Sequence, residues 1–410
     1  MALDPTLTSA LSSDMPALVD TYRWFHANPE LSMQEVNTAA RITEILGGYG
    51  IETFPCGGTG VVGVLRNGDG PVLAYRADTD GLPIEEATGL PYASTASGTL
   101  PDGTPVKVMH GCGHDSHIAS ALEVAKLMSE HTSLWSGTVV FLFQPGEETS
   151  AGAAAMLADG LWEKAPKPVA VYGQHIWAGV AGGIEVSVGT AMAMADSLRV
   201  TVRGKQAHGS QPEASIDPIV LGAAMITRLQ TVVSREISAR EMAVVTIATF
   251  HGGLKENIIP ESAEFTVNVR TFDQGVRETV LAAIERIIKG EAIAAGAPEP
   301  GIEFMYEFPR CYNDPELAEG LVGAFREELG ADNIVVRDAV TGSEDFGRFG
   351  DEIGVPYVYW FFGAYSADTL ASEEPVYGNH SPYFGPDAIE ASLDAAVRTG
   401  LTALLSHLGK

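Results

Sequence analysis

Residues 109–117 read Met-His-Gly-Cys-Gly-His-Asp-Ser-His, and they crowd three of the chain's ten histidines, one of its three cysteines and an aspartate into nine positions. A thiolate with imidazoles and carboxylates suits zinc or a similar transition ion better than magnesium or calcium, which favour oxygen ligands. Cys112 and His114 alternate in an extended turn and can face one ion, whereas His117 falls on the helix that follows. Dithiol redox chemistry needs a second cysteine close by, and none is evident near Cys112. The other chemistry open to this stretch is Cys112 as a lone nucleophile beside His114.

Further along, Gln-Pro-Gly-Glu-Glu (144–148) sets two consecutive carboxylates on a turn, where they point to different sides. One can hold a metal while the other takes a proton from water. His175 in Gly-Gln-His and His380 in Gly-Asn-His-Ser-Pro add two more candidate ligands, and Asp78 and Asp80 two more acids. Taken singly, each histidine is more often a hydrogen-bonded structural residue, and paired glutamates on a turn are more often surface decoration. A Cys112 nucleophile would leave Glu147, Glu148, His175 and His380 without a task, so the set together favours metal.

The elements that must position these groups are legible from short apolar runs. Val72–Arg76, Val139–Phe143 and Val169–Tyr172 each end in a polar turn, and the acids and histidines sit in those turns. That alternation predicts a largely parallel sheet covered by helices, in which ligands gather outside the carboxyl ends of the strands. A helix is expected over 14–47, stopped by Gly47-Gly48, and a second over 115–130 with Asp115 as its N-cap. From about Asp196 the order becomes strand 197–202, helix 217–234, strand 243–250, strand 261–271, helix 275–295, strand 302–306. This β-α-β-β-α-β succession is that of a ferredoxin-like domain. It reads as an insertion, because alternating strand and helix resume afterwards.

Composition sets outer limits. At 410 residues, with 45% hydrophobic and 19% charged residues, the chain has the profile of a globular enzyme of two or three domains. Its 53 acidic and 25 basic residues give a net charge of −28, which repels phosphate backbones and anionic lipid, so neither nucleic acid nor membrane is an expected partner. The amino-terminal residues lack a basic region followed by an apolar run, and a cytoplasmic location is expected. Three widely spaced cysteines do not suggest a disulfide framework.

Nine motifs in order carry a resemblance: Arg-Ala-Asp-Thr-Asp-Gly-Leu-Pro-Ile-Glu-Glu (76–86), the 109–117 stretch, Gln-Pro-Gly-Glu-Glu, Gly-Gln-His, Ala-His-Gly-Ser (207–210), Asn-Ile-Ile-Pro (257–260), Asn-Val-Arg-Thr-Phe (268–272), Gly-Ser-Glu-Asp-Phe (342–346) and Gly-Asn-His-Ser-Pro. Together they resemble the M20 metallopeptidases. Within these, the similarity is to the amidohydrolase branch of hippurate hydrolases, N-acyl-amino-acid aminoacylases and plant auxin-conjugate hydrolases. The resemblance covers nearly the whole chain. It implies an α/β catalytic domain in two parts, 1–193 and 308–410, interrupted by a ferredoxin-like lid and dimerisation domain, 194–307.

It further implies metal ligands Cys112, His114, Glu148, His175 and His380, a general base Glu147, and an orienting Asp80. Asp78 stands where many relatives carry a ligating histidine. His208 of the lid would reach the active site of a partner subunit and hold the oxyanion, while Asn257 and Arg270 would contact the substrate carboxylate. The implied cofactor is a pair of divalent ions per subunit, zinc foremost, with manganese, cobalt and nickel also open. The implied reaction is hydrolysis of N-acyl amino acids by a homodimer or higher oligomer. Two alternatives are exopeptidase action on small peptides and a catalytically silent metal- or ligand-binding homologue.

Overall fold

The computed structural model describes residues 2–410. The chain forms two compact units, one running up to Ala191 together with Tyr312–Asp338 and Asp345–Lys410, the other comprising Met192–Cys311 and Ala339–Glu344. Residues 339–344 fall in a stretch expected to belong with the larger unit. They join the smaller one because the Ala193 N–H donates to Val340 O (3.1 Å) and Gly342 O (2.9 Å).

The larger unit is built on an eight-stranded sheet. In chain order its strands are β1 (Glu52–Cys56), β2 (Gly60–Asn67), β3 (Val72–Asp78), β4 (Gly137–Gln144), β5 (Ala170–Val180), β6 (Ile184–Val186), β7 (Ile334–Val336) and β8 (Tyr357–Tyr365). Their spatial order is β1-β2-β4-β3-β5-β8-β6-β7. The centre is parallel, β3 pairing β4 and β5, and β5 pairing β8, while β1, β2 and the β8–β6 pair are antiparallel. All nine residues of β8 are buried, as expected for a central strand covered on both faces. Because β3, β4 and β5 run in the same direction, the segments after Asp78 and Gln144 emerge at the same end of the sheet, toward which the second half of β5, from His175 on, extends.

The helix expected over 14–47 is two helices, α1 (Pro5–Ala27) and α2 (Val36–Gly48). The break falls at Asn28-Pro29, since the residue before a proline is driven out of the helical region and proline lacks the N–H the ladder needs. The intervening segment 28–35 crosses to the end of the sheet where β3 terminates, and there Gly81 N–H donates to Glu30 O (2.7 Å). The next long helix, α3, spans His114–Glu130. Its cap differs from expectation. Gly113 occupies the cap position at φ +80°, and a Cβ there would lie 2.3 Å from Ile176 Cγ2, so only glycine fits. The Asp115 carboxylate instead accepts from Ser116 N–H and is bound to His26 Nδ1 at 2.6 Å.

The smaller unit has four antiparallel strands, Met194–Arg203, Ala243–Gly252, Ser262–Thr271 and Gly301–Phe308. The first lies between the third and fourth, and the second is at an edge, which is the ferredoxin-like arrangement. Two long helices, Pro218–Leu229 and Gln274–Ala294, bury Leu221, Met225, Val280, Ile284 and Ile288 with Val200, Phe265 and Val267 of the sheet. Among the described residues no helix is long and apolar enough to cross a membrane.

Candidate metal centre

Four segments at one end of the larger sheet deliver the polar groups. The turn before α3 brings Cys112, the first residue of α3 is His114, the turn after β4 brings Glu147 and Glu148, β5 itself carries His175, and the loop preceding the C-terminal helix Ile389–Leu408 carries His380. Cys112 Sγ lies 3.4 Å from His175 Nε2. His114 Nε2 is 4.0 Å from both Glu147 Oε2 and Glu148 Oε1, and His380 Nε2 is 3.2 Å from Glu148 Oε1. Among the groups whose ligand atoms lie within 4.8 Å of one another are Cys112, His114 and His175; Cys112, Glu148 and His380; His114, Glu147 and Glu148; and Asp78, His114 and His117. Cys112 is common to the first two, as a thiolate shared between two ions would be.

The unused valences support a cation. His114 Nδ1 is 2.9 Å from Asp80 O, which fixes the ring and turns Nε2 into the cluster, and that buried nitrogen has no hydrogen-bond partner. Glu148 Oε1, also buried, receives no hydrogen bond despite its closeness to His380. A buried acceptor and a buried ring nitrogen left unsatisfied together cost several kcal/mol, roughly 1–3 each, unless a cation takes both. His175 Nδ1 faces Ile176 O, leaving Nε2 for the centre. The donor set of sulfur, imidazole nitrogen and carboxylate oxygen fits two transition-type divalent ions.

Protonation runs the same way. Burial holds His175 well below the usual imidazole range, with a further lowering from His117, so it is neutral and ready to ligate. For His114, burial lowers the pKa but the charges of Asp78 and Asp80 overcome it and raise it to about 10, a proton that a cation would displace. Burial, reinforced by the charges of Glu148, Glu147 and Asp78, pushes the Cys112 thiol well above its ordinary value. Such a thiol is a poor nucleophile by itself, and a neighbouring dication reverses the balance by stabilising the thiolate.

Backbone geometry holds the two glutamates in place. Glu147 N–H and Glu148 N–H donate to the two oxygens of Asp80, at 3.1 Å each, and Ser32 Oγ donates to Asp80 Oδ2 at 2.6 Å. Asp80 thus anchors the turn and orients His114. Asp78 is clamped by Arg76 Nη1 at 2.5 Å and by His117 Nδ1, and His117 Nε2 accepts from Ile176 N–H at 2.8 Å. His117 therefore spends both nitrogens on structure. His380 has φ +69°, an uncommon conformation outside glycine, and its N–H donates to Gly111 O at 2.7 Å. Asn379 Nδ2 bonds Cys112 O and Ile176 O, joining three of the ligand-bearing segments.

The sequence reading passed over Arg76, Ser32, Glu35, His117 and Asn379 as supporting groups. A charged residue inside a strand otherwise buried on both faces is the signal that exposes Arg76; the others carry no local signature.

The remaining expected residues belong to the smaller unit. His208 pairs with Ile258 in a two-residue ladder, its Nδ1 lies 2.7 Å from Ser210 Oγ, and Gly209 N–H donates to Asn257 O at 2.8 Å. His208 and Asn257 are thus neighbours, and the His208 ring is exposed. Arg270 donates to Asn268 Oδ1 (3.0 Å) and Ser343 Oγ (2.5 Å), both neutral, so these bonds leave its charge uncompensated.

Known proteins align with this geometry over most of the chain. An N-acetylcysteine deacetylase of Bacillus subtilis is 36% identical over 372 residues, covering 87% of this chain and 94% of the relative. A hippurate hydrolase of Campylobacter jejuni is 34% identical over 370 residues, covering 89% and 91%. A solved dinuclear metal-binding peptidase of family M20 from Bacillus subtilis superposes with a TM-score of 0.76 at 30% identity, over 96% of this chain and 99% of that one. The family model of peptidases M20/M25/M40 matches residues 74–401, a span that contains every candidate ligand, all of the smaller unit and most of the larger, and the chain belongs to that family.

Proposed function

We propose that the protein is a binuclear metal-dependent amidohydrolase that cleaves the amide bond of N-acyl amino acids to a carboxylic acid and a free amino acid. The observation that carries this reading is the pair of unsatisfied buried atoms, His114 Nε2 and Glu148 Oε1, inside a cluster of sulfur, imidazole and carboxylate donors. Cys112, His114, Glu148, His175 and His380 would hold the ions. When bound, the ions lower the pKa of water toward neutrality and polarise the acyl carbonyl. Glu147, whose carboxylate lies beside the ligands without belonging to the cysteine-centred groups, accepts the proton of the attacking water and hands it to the leaving amine. Arg270 and Asn257 recognise the carboxylate of the amino acid, and His208 of the partner subunit stabilises the developing oxyanion.

The substrate class is supported by the deacetylase and hippurate hydrolase relatives, both named for reactions on N-acyl amino acids. The test is a hydrolysis screen of N-acetyl, N-benzoyl and longer N-acyl amino acids alongside dipeptides, with metal-loaded and chelator-stripped protein. Turnover of acyl amino acids that chelation abolishes and zinc or manganese restores is expected. Turnover of dipeptides alone would replace the amidase reading with exopeptidase action.

A further inference from the structure

The segment between α1 and α2 is where the chain spends conformational energy without a local reason. Met33 has φ +62°, a left-handed conformation costly for a residue with a side chain, and its Sδ lies 2.6 Å from where a Cβ on Gly146 would be. Two residues on, Glu35 is fully buried. Its carboxylate faces no cation. Oε1 accepts from Met33 N–H and from Gly146 N–H, both at 2.8 Å, and Oε2 accepts from Thr59 Oγ1. A carboxylate stripped of water and bonded by neutral donors is expensive, and burial together with the charge of Asp80 raises its pKa to about 7. Apolar filling would be cheaper, so the group has a task at Gly146.

Gly146 opens the turn that carries Glu147 and Glu148, and it sits at φ +54°. The three successive amides of that turn go to two buried carboxylates: Gly146 N–H to Glu35, Glu147 N–H and Glu148 N–H to Asp80. Asp80 is in turn held by Ser32 of the same segment. We infer that Glu35 is a positioning residue for Glu147, fixing through the Gly146 amide the direction in which the Glu147 carboxylate meets the attacking water. This rests on the assignment of Glu147 as the general base. Ser32 and the strained Met33 complete a strap that braces this turn.

The test compares Glu35→Ala, Glu35→Asp and Glu35→Gln, measuring metal content, KM and kcat on an N-acyl amino acid. In Glu35→Gln the carbonyl oxygen still accepts both amides and the NH2 donates to Thr59 Oγ1, so activity within about threefold of wild type is expected. Glu35→Asp keeps the charge but withdraws the acceptor by one methylene, and Glu35→Ala removes it. Both should lower kcat by about 10–100-fold with KM within about threefold and metal content unchanged, because misaligned catalytic groups cost rate rather than binding. Unchanged kcat in Glu35→Asp overturns the inference even if the alanine variant does not fold. Loss of metal along with activity also overturns it, since Glu35 would then support ligand Glu148. A Glu35→Gln variant as impaired as Glu35→Ala, with fold and metal intact, would exclude hydrogen-bond acceptance as the cause. If Glu147→Gln is itself active, the assignment of the base fails instead, and that result is independent of every Glu35 variant.

Discussion

Adjacent carboxylates of identical chemistry are assigned different tasks because each faces different neighbours. Glu148 Oε1 lies between His114 and His380, whereas Glu147 Oε2 reaches His114 alone among the ligand imidazoles. Glu147→Gln should therefore keep two ions per chain by elemental analysis while turnover falls by about 10²–10⁴-fold, since an amide cannot accept the proton of water. Glu148→Gln should instead lose metal, and substantial activity of Glu147→Gln under saturating zinc would refute the division of labour. Cys112 offers a second contrast. As a shared thiolate it predicts that Cys112→Ser loses metal affinity and activity together and that reducing agents leave wild-type activity unchanged. Normal metal content in the serine variant would refute that role. The residues that the structure gathers into this cluster were legible in the sequence because cysteine, histidine and paired glutamates are sparse residues with few other reasons to recur in strand-end turns. Their supports were not, because Glu35 and Ser32 lie more than a hundred residues from the turn they brace and look like ordinary loop residues.

At the level of elements, the strands were readable from apolar runs, and the ferredoxin-like order from alternating periodicity, because both follow from local burial. The amino-terminal helix pair was not, since an amphipathic pattern continues on either side of Asn28-Pro29 and only the proline marks the break. That break matters to the site. The last turn of α1 carries His26, which is clamped between Asp115 Oδ2 at 2.6 Å and Glu86 Oε1 at 3.0 Å, both buried partners. Asp115 neighbours ligand His114, and Glu86 accepts from Ser94 N–H in the loop whose Ala87 N–H donates to Pro382 O, two residues beyond His380. Burial lowers the pKa of His26, but bonds to Asp115 and Glu86 outweigh it and raise it from 6.5 to about 9. A group with a raised folded pKa stabilises fully below its unfolded value and loses that contribution as pH rises through the folded one. Wild-type Tm should accordingly fall between pH 7 and 10 more than that of His26→Gln, whose clamp does not titrate. Parallel declines of the two proteins in thermal melts would show that His26 is not charged in the folded state.

At the scale of the whole molecule, the five proposed ligands and the proposed base lie in the larger unit, while the residues proposed to hold the substrate carboxylate and the oxyanion lie in the smaller one. If His208 is supplied across a two-fold dimer, each active site is a composite of two chains, and defects in different chains can complement. Separately purified Glu147→Gln and His208→Ala proteins should each be nearly inactive. After subunit exchange, a mixed dimer has one site with an intact Glu147 from its own chain and an intact His208 from its partner; its other site carries both defects. Random exchange at equal amounts makes half the dimers mixed, so roughly a quarter of wild-type activity should return under two-fold symmetry. Exchange has to be verified independently, for example by mass-tagged heterodimers. The net charge of −28 slows association at low salt, so the mixture is best equilibrated at high ionic strength, where such repulsion is screened. Were His208 to act within its own chain, every site in the mixture would retain one defect, and activity would stay at the mean of the two parents however completely the subunits had exchanged.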